Sequence, residues 1–220
     1  MTNIKSIIAL LKKGELKFIL KGIGKRFRSE VLAFGLKRDL TVEFKNPNAL
    51  IELKIRPFNT SDNDYFRDEN SNLGLVEAHI ENCYVAVNTD NLPCYRQWLM
   101  GPSQNEKIKG FFKGSFPVLK NNEALLEAAF TLPTFRGKRI MPAAMARISE
   151  KGVDIGAKYI ITFVDINNIP SLKGCKRSGF NPYVLRIEKW FLFKRRIVFT
   201  DISEKLLAKY NKDLMPSKKK

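Results

Sequence analysis

The stretch Thr131-Leu-Pro-Thr-Phe-Arg-Gly-Lys-Arg-Ile-Met-Pro142 constrains this chain more than any other. An apolar run, Ala124 to Leu132, leads into it, and a helical pattern of small residues, Pro142 to Ala157, follows. A basic, Gly-containing turn thus joins a strand to a helix, with Pro142 suited to the first helical position because its missing N–H costs nothing there. The first amides of a helix have no internal partners and carry the positive end of the dipole, which makes such a turn a ready phosphate site. The β-branched run Tyr159 to Ile166 comes next. Strand, helix and strand in this order, with a short crossover, imply a locally parallel or mixed sheet.

Composition narrows the partners. The chain has 220 residues, 39 Lys and Arg against 22 Asp and Glu, and a formal net charge of +17. Such an excess points to anionic partners: phosphorylated substrates, a membrane surface or nucleic acid. Nucleic acid ranks last, because no run of stacking aromatics of the single-strand-binding kind is present. One histidine, His79, excludes any mechanism that needs two. Three widely spaced cysteines, Cys83, Cys94 and Cys175, argue against a disulfide framework or zinc site and fit a reducing cytosol. No apolar run reaches the ~20 residues needed to span a bilayer. Met1 to Leu20 scatters its lysines through apolar residues, unlike a signal peptide.

The sequence reads as three sections. Residues 1–45 form a basic amphipathic helical extension of two short helices, with Ile4, Ile7, Ile8, Leu11, Phe18 and Ile19 near one face and lysines dense around them. The positive residues of 1–28 suit peripheral contact with an anionic membrane; an arm packed on its own domain suits the pattern equally. Residues 46–200 form the main α/β domain. Leu50–Arg56, Leu73–Ile80, Cys83–Val87 and Cys94–Met100 read as strands. Ser61–Asp64 is an N-cap cluster for a short helix through Arg67 to Asn70. Phe111, Phe112 and Phe116 mark an aromatic segment over the sheet, either plain core or one wall of an acceptor pocket. Asn167 to Pro170 is a second turn, Ser171 to Ser178 a second short helix, and Tyr183–Glu188 with Trp190–Thr200 a closing hairpin. Residues 201–220 are a C-terminal helix and a Lys-rich tail.

Glu123 to Leu132 is the central strand. Period two places Glu123, Leu125, Glu127, Ala129 and Thr131 on one face. Two carboxylates on an otherwise apolar face stand out. Burial would raise either pKa towards the range in which a general base takes a proton from an ammonium. Alternatively both are solvated or paired with lysines.

The two turns together resemble the GCN5-related N-acetyltransferase (GNAT) superfamily. Its coenzyme A signature, Arg/Gln-x-x-Gly-x-Gly/Ala at a strand-to-helix turn, is matched by Arg136-Gly-Lys-Arg-Ile-Met141. Its second signature is matched by Asn168, Ser171 and Gly179-Phe180. The resemblance covers roughly residues 50–200. It implies a mixed, mostly antiparallel sheet of about seven strands flanked by helices, splayed to admit acetyl-coenzyme A as co-substrate. It implies that backbone groups near Phe130 and Leu132 pair with the pantetheine. The amides of Gly137, Lys138, Arg139, Ile140 and Met141 would hold the pyrophosphate, with Arg136 and Lys138 adding charge. The sequence departs from the pattern at Arg139 and Met141, where the family prefers Gly or Ala, and at Cys175, where many members carry a Tyr acid. Cys175 is then either the acid for the leaving thiolate or a small packed residue. Glu123 resembles the base glutamate of the histone-acetylating branch, with Glu127 its same-face neighbour.

A looser likeness links the basic start, Gly35-Leu-Lys-Arg-Asp-Leu40 and Phe130–Gly137 to acetyltransferases of bacterial surface-polysaccharide synthesis. It implies direct acetyl transfer to a small-molecule amine, an amino sugar that is nucleotide- or lipid-linked, in the cytoplasm or at the inner face of the membrane. The competing expectation is a degenerate scaffold of the same fold that binds a membrane surface or nucleic acid.

Overall fold

The computed structural model describes residues 16–67 and 73–215. Readings that fall on residues 1–15, 68–72 and 216–220 lie outside them. The chain enters as helix α1 (Leu16–Phe27) and passes directly into strand β1 (Arg28–Asp39). Strand β2 (Lys54–Pro57), a 3-10 turn (Thr60–Tyr65), helix α2 (Leu73–Glu77), strands β3 (Cys83–Val87) and β4 (Pro93–Met100) and helix α3 (Asn105–Phe112) follow. Strand β5 (Glu123–Thr131), helix α4 (Ile140–Glu150), strand β6 (Tyr159–Asp165) and helix α5 (Ile169–Arg177) build the crossover region. The chain closes with strands β7 (Asn181–Phe191) and β8 (Lys194–Thr200) and helix α6 (Glu204–Leu214).

The strands form one eight-stranded sheet in the order β2-β3-β4-β5-β6-β1-β7-β8. Every neighbouring pair is antiparallel except β5 and β6, which run parallel. This is the mixed, mostly antiparallel sheet expected, with one strand more. The extra strand is β1, and it corrects the first section: residues 28–39 are not part of a helical extension but lie inside the sheet between β6 and β7. Their period hides this, because Ala33 to Leu36 are all buried and no alternation is visible. Residues 73–77 also differ, forming a helical turn and not a strand. The aromatic segment after β4 is largely the helix α3.

Two packed layers cover the sheet. On one face α4, α5 and α6 bury Ala143, Ala144, Met145, Ile148, Leu172, Tyr210 and Leu214 against strand residues such as Phe34, Leu126 and Ile160. The alanines keep α4 slim enough to lie close on the strands. On the other face Leu75 of α2, Ile108 of α3 and Leu119 meet Trp98, Leu125, Ile161 and Phe163. Phe112, Phe116, Phe163 and Phe199 form a chain of edge-to-face or tilted rings, 4.8 to 5.7 Å apart, across this second layer. Gly35 makes room for it: a Cβ there would stand 2.8 Å from Phe163 Cε1 and 2.4 Å from Val184 Cγ1. No described helix is long and apolar enough to cross a membrane. All three cysteines are free.

Candidate active site

Parallel strands β5 and β6 pair only at Glu123–Tyr159, Ala124–Ile160 and Leu125–Ile161. Beyond that they part. On the other side of β5 the register to β4 jumps between Trp98–Glu127 and Arg96–Phe130, so three steps along β5 match two along β4. The extra residue is a β-bulge, and Ala128 within it has φ 59. The bulge ends the period-two pattern expected across the whole strand: the alternation holds from Glu123 to Glu127 and is reset after it. Ala128 and Ala129 have no ladder partner on either side.

Glu127 occupies the gap. Its Oε1 accepts from the Phe163 amide at 2.7 Å and from the Thr162 hydroxyl at 3.1 Å. The carboxylate thus replaces the strand carbonyl that a closed sheet would offer β6. Burial raises the Glu127 pKa to about 7, with the Phe163 amide, the Thr162 hydroxyl and the positive charge of Arg186 pulling the other way. A cavity of about 240 Å3 surrounds it, walled by Gln97, Ala128, Ala129, Thr162 to Asp165, Met141 and Met145 of α4, and Asn168, Ser171 and Cys175. Glu123 lies apart. It sits at the closed end of the split, accepts from the Lys120 amide at 3.2 Å and faces Lys37 Nζ at 3.7 Å. Of the two carboxylates on one strand face, the bulge brings one into the cleft and leaves the other in an ion pair.

A second cavity, about 270 Å3, continues from the first past Met141, which lines both. It runs along Arg136, Gly137, Arg139, Ile140 and Pro142 on one side and Pro170, Gly174 and Arg177 on the other. Helix α4 begins at Ile140 with no side-chain cap, and the amides of Gly137, Lys138 and Arg139 find no carbonyl partner among the described residues. Those amides and the helix dipole are free to take up an anion. Pro142 is the third helical residue and not the first; its missing N–H is still harmless, because the first turn has no internal acceptor. Arg139, which stands where a glycine was expected, takes φ 57 and is exposed. It adopts the left-handed conformation that the glycine supplies elsewhere, and it lines the groove at its exposed edge. Gly137 also has positive φ, 79. Arg136 folds back so that its Nε donates to the Thr131 carbonyl at 3.3 Å. Lys138 stacks over Phe135, and its carbonyl accepts from the Leu50 amide. The Ile140 side chain is in the core.

Met141 is accommodated by a partner. A Cβ at Gly174 would stand 2.5 Å from the Met141 sulfur, so the thioether lies over the glycine of α5 where any larger residue would push it into the cleft.

The backbone groups of Phe130 and Leu132, expected to pair with the pantetheine, are engaged within the chain. The Leu132 amide donates to the Cys94 carbonyl, and its own carbonyl accepts from the Phe135 amide. Phe130 is in register with Arg96, two residues along the same ladder, so its polar groups also face β4. Its ring sits in a separate small cluster with Phe66, Val85 and Val87. The edge of β5 turned to the cleft is that of Thr131. Asn168 caps α5, its side chain accepting from the Ser171 amide at 3.3 Å, at the rim of the same cavity. Cys175 is 1% exposed, its sulfur 3.8 Å from that of Met145, and burial raises its pKa.

Sequence reasoning missed Arg186, whose guanidinium lies over the rings of Phe116 and Phe163 on the opposite sheet face from α4. It also missed a large cavity, about 770 Å3, on that face. Arg26, Phe111, Phe112, Lys113, Glu188, Trp190, Phe193 and Arg195 line it. There Arg195 grips Glu188 with two bonds of 2.9 Å, and the Trp190 indole donates to the same carboxylate at 3.0 Å. Alternation along β7, Arg186-Glu188-Trp190, is the one signal that could have shown these residues on a common face.

Comparison with known proteins speaks to the fold. No protein-family model matches the sequence, and no curated protein matches it. Solved structures do. The fold is similar to the glucosamine N-acetyltransferase region of a fungal multi-domain beta-N-acetylglucosaminidase, with TM-score 0.55, 14% identity, 79% of this chain and 22% of that one covered. It is similar to a GCN5-related N-acetyltransferase from Sphaerobacter thermophilus, with TM-score 0.54, 11% identity and coverage of 84% and 57%. It is also similar to a Drosophila protein, with TM-score 0.52, 15% identity and coverage of 79% and 55%. The chain spans between 22% and 57% of the length of these three. The fold is that of the GCN5-related N-acetyltransferases.

Proposed function

We propose that this protein is an N-acetyltransferase that moves an acetyl group from acetyl-coenzyme A directly to an amine. The observation that carries the reading is Glu127, a carboxylate with a pKa near 7, held in the split between β5 and β6. The free amides at the start of α4, the open groove past Met141 and the glycine that makes room for that methionine support a coenzyme A site there. The bound thioester supplies an electrophilic carbonyl. The residues of the chain do the rest. Gly137 to Met141 and Arg136 hold the pyrophosphate. The Thr131 edge of β5 orients the pantetheine. Glu127 takes the proton from the ammonium, and Ala129, a bulge residue without a ladder partner that lines the same cavity, is the backbone group on offer to the developing oxyanion. Cys175, buried against Met145, is the nearest thiol for protonating the leaving group.

The acceptor enters from the Phe163 face. The large cavity shares no lining residue with the one around Glu127, so an acceptor that reaches both is longer than a simple amine. Trp190 and Phe111 offer stacking surfaces, the Glu188 carboxylate held by Arg195 can accept from a hydroxyl, and Arg26 and Lys113 suit phosphate. An amino sugar carrying a nucleotide or lipid phosphate matches all three, in the cytoplasm or at the inner membrane face. Calorimetry with acetyl-coenzyme A, followed by thiol release with phosphorylated and nucleotide-linked amino sugars, tests the reading. Absence of binding at millimolar acetyl-coenzyme A would sink it.

A further inference from the structure

We propose that the end of α1 and the β7–β8 turn together form a docking surface for an anionic lipid bilayer. Phe191 pairs with Lys194, so Leu192 and Phe193 are the two central residues of a tight hairpin. Both have positive φ, 46 and 63. A hairpin of this kind favours Asn-Gly, which adopts that backbone with little strain. Leucine and phenylalanine are the wrong residues for the turn, and the strain is retained for side chains that then face solvent. Phe191, Leu192 and Phe193 are 62%, 51% and 56% exposed.

The turn is not isolated. Its Leu192 amide donates to the Phe27 carbonyl and its Phe193 amide to the Arg26 carbonyl, both at 2.9 Å. These bonds tie it to the last carbonyls of α1, where Ile23 and Phe27 are 47% and 52% exposed. Five exposed apolar side chains from two segments thus share one fixed patch. Lys25, Arg26 and Arg28 on one side and Lys194 and Arg196 on the other are at or near the surface around it. The neighbouring acids are matched: Glu30 pairs with Lys189, and Glu188 with Arg195. The rim is left positive. An apolar centre within a cationic rim is the pattern of an element that sinks into the interface of a membrane bearing acidic lipids. Nucleic acid would use the charge and leave the phenylalanines in water. The surface stands apart from the acetyl-transfer reading. If that reading also holds, Arg26 and Phe193, which line the large cavity, place its mouth against the lipid.

The test uses the full chain and co-sedimentation with phosphatidylcholine vesicles, with and without phosphatidylglycerol. Binding to the acidic vesicles, weakened by salt, is expected, with little binding to the neutral ones. Leu192→Asn with Phe193→Gly gives the turn its preferred residues and removes two apolar anchors. It should lower vesicle partitioning roughly tenfold or more while thermal unfolding stays at or above the wild-type midpoint. Lys25→Glu with Arg28→Glu should weaken binding to the acidic vesicles and leave the turn intact. Wild-type protein that ignores acidic vesicles, or a Leu192→Asn/Phe193→Gly variant that binds them as well as wild type, overturns the proposal. A dimer seen by light scattering and dissolved by the same turn variant, without vesicle binding, would assign the patch to a second copy and also overturn it.

Discussion

The Glu127 carboxylate accepts a 2.7 Å hydrogen bond from the Phe163 amide across the point where β5 and β6 separate. One side chain therefore does two things: it satisfies a strand donor that the split would orphan, and it places an ionisable group in the cleft. Its burial and its use as a base make different demands on its proton.

The activity arm of that conflict is testable. The base must be deprotonated, so the rate of acetyl transfer should rise with pH and level off above about 7. Glu127→Gln should lose that limb and fall in rate by roughly 10²–10⁴. Glu123→Gln should retain the limb, because Glu123 is engaged with Lys37 at the closed end. A pH–rate profile of the three proteins decides the matter; an unchanged profile in Glu127→Gln removes Glu127 as the base.

Stability runs the other way. The folded protein holds the Glu127 proton more tightly than an unfolded chain does, where a glutamate titrates near its ordinary value. The stabilisation is complete below that ordinary value and is lost as pH rises through about 7. Glu127→Gln, which keeps a neutral side chain, should therefore gain in unfolding midpoint relative to wild type as pH increases from 5 to 8; a difference in midpoint that does not change with pH would count against the raised pKa.

Arg139 tests the turn. Its left-handed backbone carries a cost that glycine avoids, so Arg139→Gly should stabilise the protein by about 1 kcal/mol. Affinity for coenzyme A should fall modestly, since Arg139 lines the groove and its positive charge is lost. Gly137→Ala, at φ 79, should do the opposite and lower the unfolding midpoint. Urea titrations and calorimetry separate the two effects.

The Met141–Gly174 contact predicts a split result. Gly174→Ala should displace the Met141 thioether, which is flexible enough to move, so stability should drop by only about 1–2 kcal/mol. The displaced thioether must enter the groove that α4 and α5 share, and coenzyme A affinity should fall more than stability does. Pairing the change with Met141→Ala should restore binding.

Much of the crossover was legible because its signals are local. The Arg136–Pro142 turn, the slim alanine face of α4 and the Asn168 cap each need only a few adjacent residues to be recognised. Glu127 was visible as one of two carboxylates, but the choice between them was not. It depends on a bulge at Ala128, which follows from how β5 is gripped by β4 on one side and abandoned by β6 on the other. Arg139 reads only as a departure from the preferred glycine, because a sequence shows side-chain size and not the φ that the residue accepts. β1 was read as part of a helical arm because its central residues are buried on both faces and show no period. The large cavity gathers residues from α1, α3, β7 and β8, which no spacing in the chain connects.

The position of β1 has a consequence for how the protein is made. Ala33 pairs with Asp165 on one side and Arg186 on the other. A strand synthesised early thus waits for strands synthesised late: one row of backbone donors and acceptors stays open until Tyr159–Asp165 leave the ribosome, and the other until Asn181–Phe191 do. Contacts this distant in sequence slow folding and leave strand edges exposed meanwhile. The nascent chain should depend on helpers that shield such edges more than a sheet assembled from successive hairpins would.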